Sequence, residues 1–262
     1  EIRQLALALR HARRPRLRGA WNIFLGLFVA ASLLLTLLLA LAPPVEWDVL
    51  TYHLVGPQRY LQAHRLTFEF DNYYLFFPEF TEMLFTAGMA LKSDIVAHLI
   101  HFTYLLLTLG ILGAFATRYW QRQQGLVAAA LFLSIPTVVQ IAAWAYVDLT
   151  LTFYSFAALY ALLNWLNPAE SQAARPAATG WLLLAGLFGG ACAAIKYTGA
   201  TSLLILGAVL VLALVRHQLP LRRFLSGLLV IAVAALIVAG PWYVKNAVVT
   251  GNPIYPLLWG GR

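Results

Sequence analysis

Seven apolar stretches, each about as long as a membrane-spanning helix, constrain what this 262-residue chain can fold into. An α-helix needs about 20 apolar residues to cross the roughly 30 Å hydrocarbon core of a bilayer. The stretches cover residues 21–42, 94–116, 124–142, 146–166, 180–196, 199–215 and 224–244. Only 11% of the residues are charged and 61% are hydrophobic, so a water-soluble fold would lack polar surface. The sequence therefore predicts an all-α fold, a polytopic membrane helix bundle of about seven transmembrane helices.

Basic and acidic residues lie in different connecting segments. If the N-terminus is cytoplasmic, the segments 1–20, 117–123, 167–179 and 216–223 lie in the cytoplasm and contain 12 of the 18 Lys and Arg residues. The same orientation places 8 of the 10 acidic residues on the opposite side. Cytoplasmic loops of membrane proteins are enriched in Lys and Arg. We therefore predict a cytoplasmic N-terminus and a multi-pass protein of the cell inner (plasma) membrane.

The first 20 residues form a basic cytoplasmic arm ahead of a transmembrane domain over 21–262. A net charge of +8 could indicate nucleic-acid binding, but six of the basic residues precede Trp21, where they mark the topology. Such an arm can contact anionic lipid headgroups, so we expect membrane lipid and no nucleic acid as its partner. The apolar run Trp21–Leu41 is too long for the core of a signal peptide, which predicts a retained helix.

The first outer loop, residues 43–93, is the only long connection between the predicted helices. Its apolar and polar residues predict two interfacial helices, Val49–His64 and Pro78–Leu91. Pro78 suits the first turn of the second helix, where its missing N–H costs no hydrogen bond. Tyr and Trp are frequent in this loop, as is typical of a membrane interface. We expect the loop to lie along the outer membrane surface.

Charged residues from distant parts of the chain are predicted to gather at the outer end of the bundle. They are Glu46, Asp48, Glu79, Glu82, Asp148, Lys196 and Lys245. Charged groups at a membrane boundary cost free energy unless they form ion pairs, so they are often found where they take part in function. The set is therefore a candidate site. One carboxylate could take the proton of an acceptor, another could hold a divalent metal ion, and a cation could stabilise a phosphate leaving group. This chemistry suits transfer from a phosphate-activated, lipid-linked sugar.

Five motifs in this order resemble the GT-C superfamily of polyprenyl-phosphate-sugar glycosyltransferases. They are Glu46-Trp47-Asp48 with Tyr52-His53-Leu54, Phe77-Pro78-Glu79-Phe80-Thr81-Glu82, Tyr146-Val147-Asp148-Leu149, Ala194-Ile195-Lys196-Tyr197-Thr198-Gly199, and Gly240-Pro241-Trp242-Tyr243-Val244-Lys245-Asn246. The chain looks closest to the branch of protein O-mannosyltransferases and the lipid A aminoarabinose transferase. The resemblance implies a membrane enzyme that moves a sugar from a polyprenyl-phosphate donor to an acceptor at the extracytoplasmic face.

The resemblance also implies roles for individual residues. Asp48 matches the catalytic acid of the first outer loop and is expected to be the general base of an inverting transfer. Glu46 would complete a paired-acid motif. Asp148 would bind a metal or organise the site, and Lys196 would contact the donor phosphate.

Further substrate contacts are implied for the outer loop. Glu79 or Glu82 would supply the acid of the second helix, and His53 would join them in binding substrate. His53 and its neighbours Thr51 and Tyr52 stand where some family members have an Arg, so this segment departs from the family pattern.

Simpler interpretations compete with each of these roles. The acids also lie near predicted helix starts, where carboxylates are favoured, and Lys196 could extend to the interface as many lysines do. Asp94, His98 and His101 form a stripe with metal-ligand spacing, for which ordinary interhelical hydrogen bonding is the simpler explanation.

Two other functions compete with the enzyme as a whole. One is a non-catalytic membrane subunit of a larger assembly, truncated or degenerate relative to the family. Family members usually continue for several more helices, so the chain would be either a part of a longer protein or a short relative without activity. A transporter fits less well because its charges would lie near the midplane of the membrane.

Overall fold

A computed structural model describes residues 19–68, 70–167 and 175–257, and within these ranges the chain forms helices and turns without strands. The all-α prediction is thus confirmed. The helices are α1 (Gly19–Ala40), α2 (Val55–Ala63), α3 (Phe80–Leu91), α4 (Asp94–Tyr119), α5 (Arg122–Leu133), α6 (Pro136–Ala142), α7 (Asp148–Leu166), α8 (Arg175–Ile195), α9 (Ala200–Val215) and α10 (Leu221–Thr250). Residues 1–18 of the predicted basic arm lie outside the described residues, as does Glu69.

Five helical segments of the described chain are long and apolar enough to cross a membrane: α1, α4, α7, Tyr197–Val215 and α10. The third predicted span is instead a pair, Gln123–Leu133 and Pro136–Ala142, bent by 81°. Pro136 explains the bend because a residue before proline avoids helical dihedrals, and Ile135 is extended. The fifth predicted span is a shorter apolar helix, Thr179–Ile195. The structure thus offers five spans, or six with the bent pair, where the sequence predicts about seven.

Helix α8 packs against both α7 and α10. Gly186 and Gly190 make the contact with α10 possible, because a Cβ on Gly190 would lie 2.6 Å from the backbone of Ala235. Small residues at such a contact let two helix backbones approach closely. Helix α7 contributes Leu149 to one apolar core and Leu162 to another, so it joins the two halves of the bundle.

The outward faces of the bundle are apolar. Leu27 on α1 is 66% exposed and Leu236 on α10 is 67% exposed. Exposed apolar surface on helices of this length is the property of a multi-pass membrane protein, because lipid rather than water solvates it.

The first outer loop folds onto one end of the bundle. The helix predicted over Val49–His64 is broken at Leu54, where a π-helical turn over Val49–His53 gives way to α2. The second predicted helix begins at Phe80, so Pro78 precedes the helix instead of occupying its first turn. Val49 and Phe85 are buried against Ala97 of α4 and against Ala145, which holds the loop on the bundle.

Candidate functional site

A cleft opens between the first outer loop and the ends of α7 and α8. The space between its walls is about 390 Å³, a value that includes open solvent at its mouth. The loop supplies most of the lining, and residues next to α7 and at the end of α8 complete it. The lining residues are Tyr52, His53, Tyr74, Phe77, Pro78, Glu79, Glu82, Val147, Ile195 and Lys196. The fold therefore brings residues of four of the five motifs to one cavity.

His53 and Glu82 form a buried pair inside this cleft. His53 Nδ1 lies 2.7 Å from Glu82 Oε1, and the two side chains are only 5% and 7% exposed. The π-helical turn places His53, while Glu82 lies in the first turn of α3. The other carboxylate oxygen, Glu82 Oε2, is buried without a hydrogen-bond partner in the described part of the chain. The pair joins a fixed imidazole to a carboxylate that retains a free acceptor.

Glu79 has a different environment although it is only three residues away. The Tyr60 hydroxyl lies 2.9 Å from both Glu79 oxygens and donates to the carboxylate, and Lys245 Nζ lies 3.9 Å from Oε2. Burial raises the pKa of Glu79 to about 8, against the lowering effects of Lys245 and Tyr60. Glu79 thus connects α2 to α10 beneath the cleft and keeps a proton more readily than an exposed glutamate.

Lys196 brings a cation to the cleft from the end of α8. Its Nζ lies 4.0 Å from Asp148 Oδ1, and both side chains are nearly half exposed. The turn after Lys196 depends on Gly199, since a Cβ there would overlap the carbonyl of Cys192. This ion pair is accessible to solvent, so an anionic ligand could compete with Asp148 for the ammonium group.

Asp48 and Glu46 lie outside the cleft lining. The Asp48 carboxylate accepts a hydrogen bond from the Tyr52 hydroxyl, and burial together with Asp48 raises the pKa of that hydroxyl. Tyr52 lines the cleft and stacks on Tyr74 at 4.7 Å between ring centroids. Glu46 accepts a hydrogen bond from the backbone N–H of Val45. Asp48 therefore reaches the cavity through Tyr52, and Glu46 does not line it.

His101 from the predicted histidine stripe joins helices by hydrogen bonds. Its Nδ1 lies 2.8 Å from the Trp144 carbonyl, and its Nε2 accepts from the N–H of Leu149. It holds the turn between α6 and α7 next to Asp148. His101 therefore makes interhelical hydrogen bonds, as the simpler interpretation of the stripe predicts.

The divalent metal ion suggested by the sequence finds no three-ligand site among the described residues. No three His, Cys, Asp or Glu side chains among them are close enough to share one ion. Asp148, the expected ligand, faces the Lys196 ammonium instead, and a cation beside a carboxylate disfavours a second one. No step of the chemistry is therefore assigned to a metal.

Comparison with known proteins places the chain in a family. Residues 83–259 match the family described as a domain of unknown function, DUF8201. The chain belongs to this family. The matched region of the DUF8201 domain includes Asp148, Lys196 and Lys245, and it begins directly after Glu82.

A bacterial relative of this DUF8201 member is an uncharacterised protein of Shigella flexneri. The two are 25% identical over 134 residues, which cover 51% of this chain and 67% of the relative.

Solved structures of ArnT from Cupriavidus metallidurans have a similar fold. The form bound to undecaprenyl phosphate superposes with a TM-score of 0.69 and 22% identity over 89% of this chain and 42% of ArnT. The apo form gives 0.68 and 23% identity over 91% and 44%. The DUF8201 chain therefore has a GT-C-like fold and spans less than half of the ArnT length.

The structure brings most of the site residues predicted from sequence together and adds several. His53, Glu79, Glu82 and Lys196 line the cleft, and Asp148 is adjacent through Lys196. Residues that sequence reasoning did not assign to the site are the aromatic walls of the cleft and the tyrosine that contacts Glu79. They are Tyr52, Tyr60, Tyr74 and Phe77. The many tyrosines of the loop could have indicated these aromatic walls from the sequence. A belt of aromatic residues at the membrane interface accounts for them equally well.

Proposed function

We propose that the chain is the transmembrane part of a glycosyltransferase that takes a sugar from a polyprenyl-phosphate carrier at the extracytoplasmic face. The observation that supports this best is the cleft itself, which combines the accessible Lys196 with the buried carboxylates Glu79 and Glu82. A cation at the cavity suits a phosphate, and the carboxylates suit the hydroxyl groups of a sugar. The aromatic rings of Tyr52 and Tyr74 offer a flat apolar face to a sugar ring.

The similarity to ArnT supports the nature of the donor. One of the two ArnT structures is bound to undecaprenyl phosphate. A lipid carrier would approach through the membrane, and its phosphate would lie at the interface, where the first outer loop and Lys196 meet.

The proposed reaction is the attack of an acceptor on the sugar carbon that carries the phosphate. Lys196 would balance the charge of the leaving phosphate, and Asp148 would hold the ammonium in place before the donor binds. A basic group at the cleft must receive the acceptor proton. Asp48 is the base expected from the sequence.

Binding of undecaprenyl phosphate to the full-length protein in nanodiscs tests the proposal. Replacing Lys196 by Gln should weaken binding by about tenfold to a hundredfold, because a charge-assisted hydrogen bond is lost. Lys92→Gln is the matched control, since Lys92 is an exposed lysine of the first outer loop that does not line the cleft. Equal losses in the two variants, or no binding by the wild type, would contradict the proposal. Binding without sugar transfer would favour a non-catalytic membrane subunit.

A further inference from the structure

His53 has the geometry of a general base. With Nδ1 at 2.7 Å from the Glu82 carboxylate, the neutral ring carries its proton on Nδ1 and keeps a lone pair on Nε2. His53 lines the cleft, so Nε2 is the ring nitrogen that remains for a ligand there. A carboxylate that orients an imidazole in this way also stabilises the imidazolium formed when the ring takes up a proton.

The surroundings of the pair limit its motion. The ring of His53 lies 4.1 Å from Tyr52 and 5.6 Å from Tyr146 between centroids. Glu82 Oε2 is buried without a hydrogen-bond partner in the described part of the chain. The contact with His53 is therefore the side-chain hydrogen bond that holds the Glu82 carboxylate in the described part of the chain.

The other acids near the cleft are less suited to take the proton. The carboxylate of Asp48 is separated from the cleft by Tyr52, whose hydroxyl it binds. Glu79 is held by Tyr60 and Lys245, and Asp148 faces Lys196. Each of these carboxylates has a partner already, whereas His53 lines the cavity and pairs with Glu82 through Nδ1 alone.

We propose that His53, oriented by Glu82, accepts the proton of the attacking hydroxyl during sugar transfer. This inference rests on the proposed function and assigns the base within it. The acceptor oxygen forms a bond to the anomeric carbon while its proton passes to His53 Nε2. The bond from that carbon to the phosphate oxygen breaks, and its electron pair leaves with the polyprenyl phosphate. Glu82 balances the imidazolium, and Lys196 balances the phosphate.

Kinetics of the full-length protein in its native membranes test the assignment. The assay measures release of undecaprenyl phosphate from undecaprenyl-phosphate hexoses and pentoses, beside direct binding of undecaprenyl phosphate. We expect His53→Asn to lower kcat by about 10²- to 10⁴-fold, the usual contribution of a general base. Binding of undecaprenyl phosphate should change by no more than about threefold, because His53 contacts the acceptor rather than the phosphate.

Three further variants separate catalysis from structure. Glu82→Gln keeps an amide oxygen for the Nδ1–H and removes only the charge, so kcat should fall by roughly tenfold or more while the fold is kept. Asp48→Asn should reduce kcat less than His53→Asn does. His64→Asn is the matched control, because His64 is an exposed histidine of the same loop in a left-handed conformation that Asn tolerates.

The outcomes distinguish this inference from the function on which it rests. If the wild type releases undecaprenyl phosphate and His53→Asn keeps more than about a tenth of kcat, the base is assigned wrongly but the function stands. If His53→Asn lost binding and turnover to the same extent, the His53–Glu82 pair would have only a structural role in the first outer loop. If the wild type neither binds nor releases the lipid, the proposed function fails and the inference fails with it.

Discussion

Glu79 and Glu82 lie three residues apart, and the structure gives them different interaction partners. Glu82 faces His53 in the cleft, while Glu79 is buried with Tyr60 and Lys245. The two carboxylates are equally buried and differ in their partners, which are an imidazole for Glu82 and a hydroxyl with an ammonium group for Glu79. At the scale of single residues, this difference separates a group suited to orienting a base from one suited to holding the loop on α10.

Glu79 should make the stability of the protein depend on pH. Its pKa is raised to about 8 in the folded chain, so the folded state holds the proton more tightly than the unfolded state does. The resulting stabilisation is present at low pH and is lost as the pH rises toward about 8. We expect the Tm to fall between pH 5 and pH 8, and Glu79→Gln to reduce this change.

Thermal unfolding of the purified protein at both pH values measures this effect. Asp71→Asn is the control, since Arg59 lowers the pKa of the exposed Asp71 and places its titration below this window. An unaltered pH dependence in Glu79→Gln would show that another group is responsible.

At the scale of elements, close helix contact and helix bending determine where the cleft forms. Gly186 and Gly190 let α8 approach α10, and the break at Pro136 turns α6 toward the outer end of α7. Asn246 then ties α10 to the loop and to the α8–α9 turn, because its amide donates to the carbonyl of Phe76 and to the hydroxyl of Tyr197. Contacts between elements therefore hold the cleft walls together.

Gly190→Ala should destabilise the bundle. The added Cβ would lie 2.6 Å from backbone atoms of α10, which cannot move without displacing the whole helix. Overpacking of this kind costs about 1–3 kcal/mol, so the Tm in detergent should fall. Gly207→Ala is the matched control because nothing lies within 4 Å of its added Cβ. Equal Tm values for the two variants would exclude a specific contact between α8 and α10 at this position.

At the scale of the whole molecule, the distribution of basic residues along the chain predicts which side of the membrane the cleft faces. The Lys and Arg residues at one end predict the cytoplasmic side, and the cleft lies at the other. A cleft on the extracytoplasmic side would receive a lipid-linked donor directly from the outer leaflet.

Cysteine labelling tests this orientation in spheroplasts. In a Cys192→Ser background, a membrane-impermeant maleimide should label Gln62→Cys in intact spheroplasts and Gln218→Cys only after permeabilisation. Both positions are exposed, Gln62 on α2 and Gln218 between α9 and α10. The reverse pattern would place the cleft in the cytoplasm.

Much of the architecture follows from the sequence alone. Whether a segment enters the membrane depends on its own apolar length and on the charges that flank it. Other segments have little influence on this choice. The sequence therefore predicts the helical class and a set of candidate residues that includes His53, Glu79, Glu82 and Lys196. The apolar length of residues 124–142 does not reveal the bend at Pro136, which only the structure shows.

Only the tertiary structure decides how these residues are paired. The pairing of Glu82 with His53 depends on how the loop folds on itself, and the pairing of Glu79 with Lys245 depends on how the loop packs on α10. The position of Asp48 behind Tyr52 depends on the π-helical turn. Partners that are distant in the chain meet through packing between elements, and the spacing of residues in the sequence does not specify that packing.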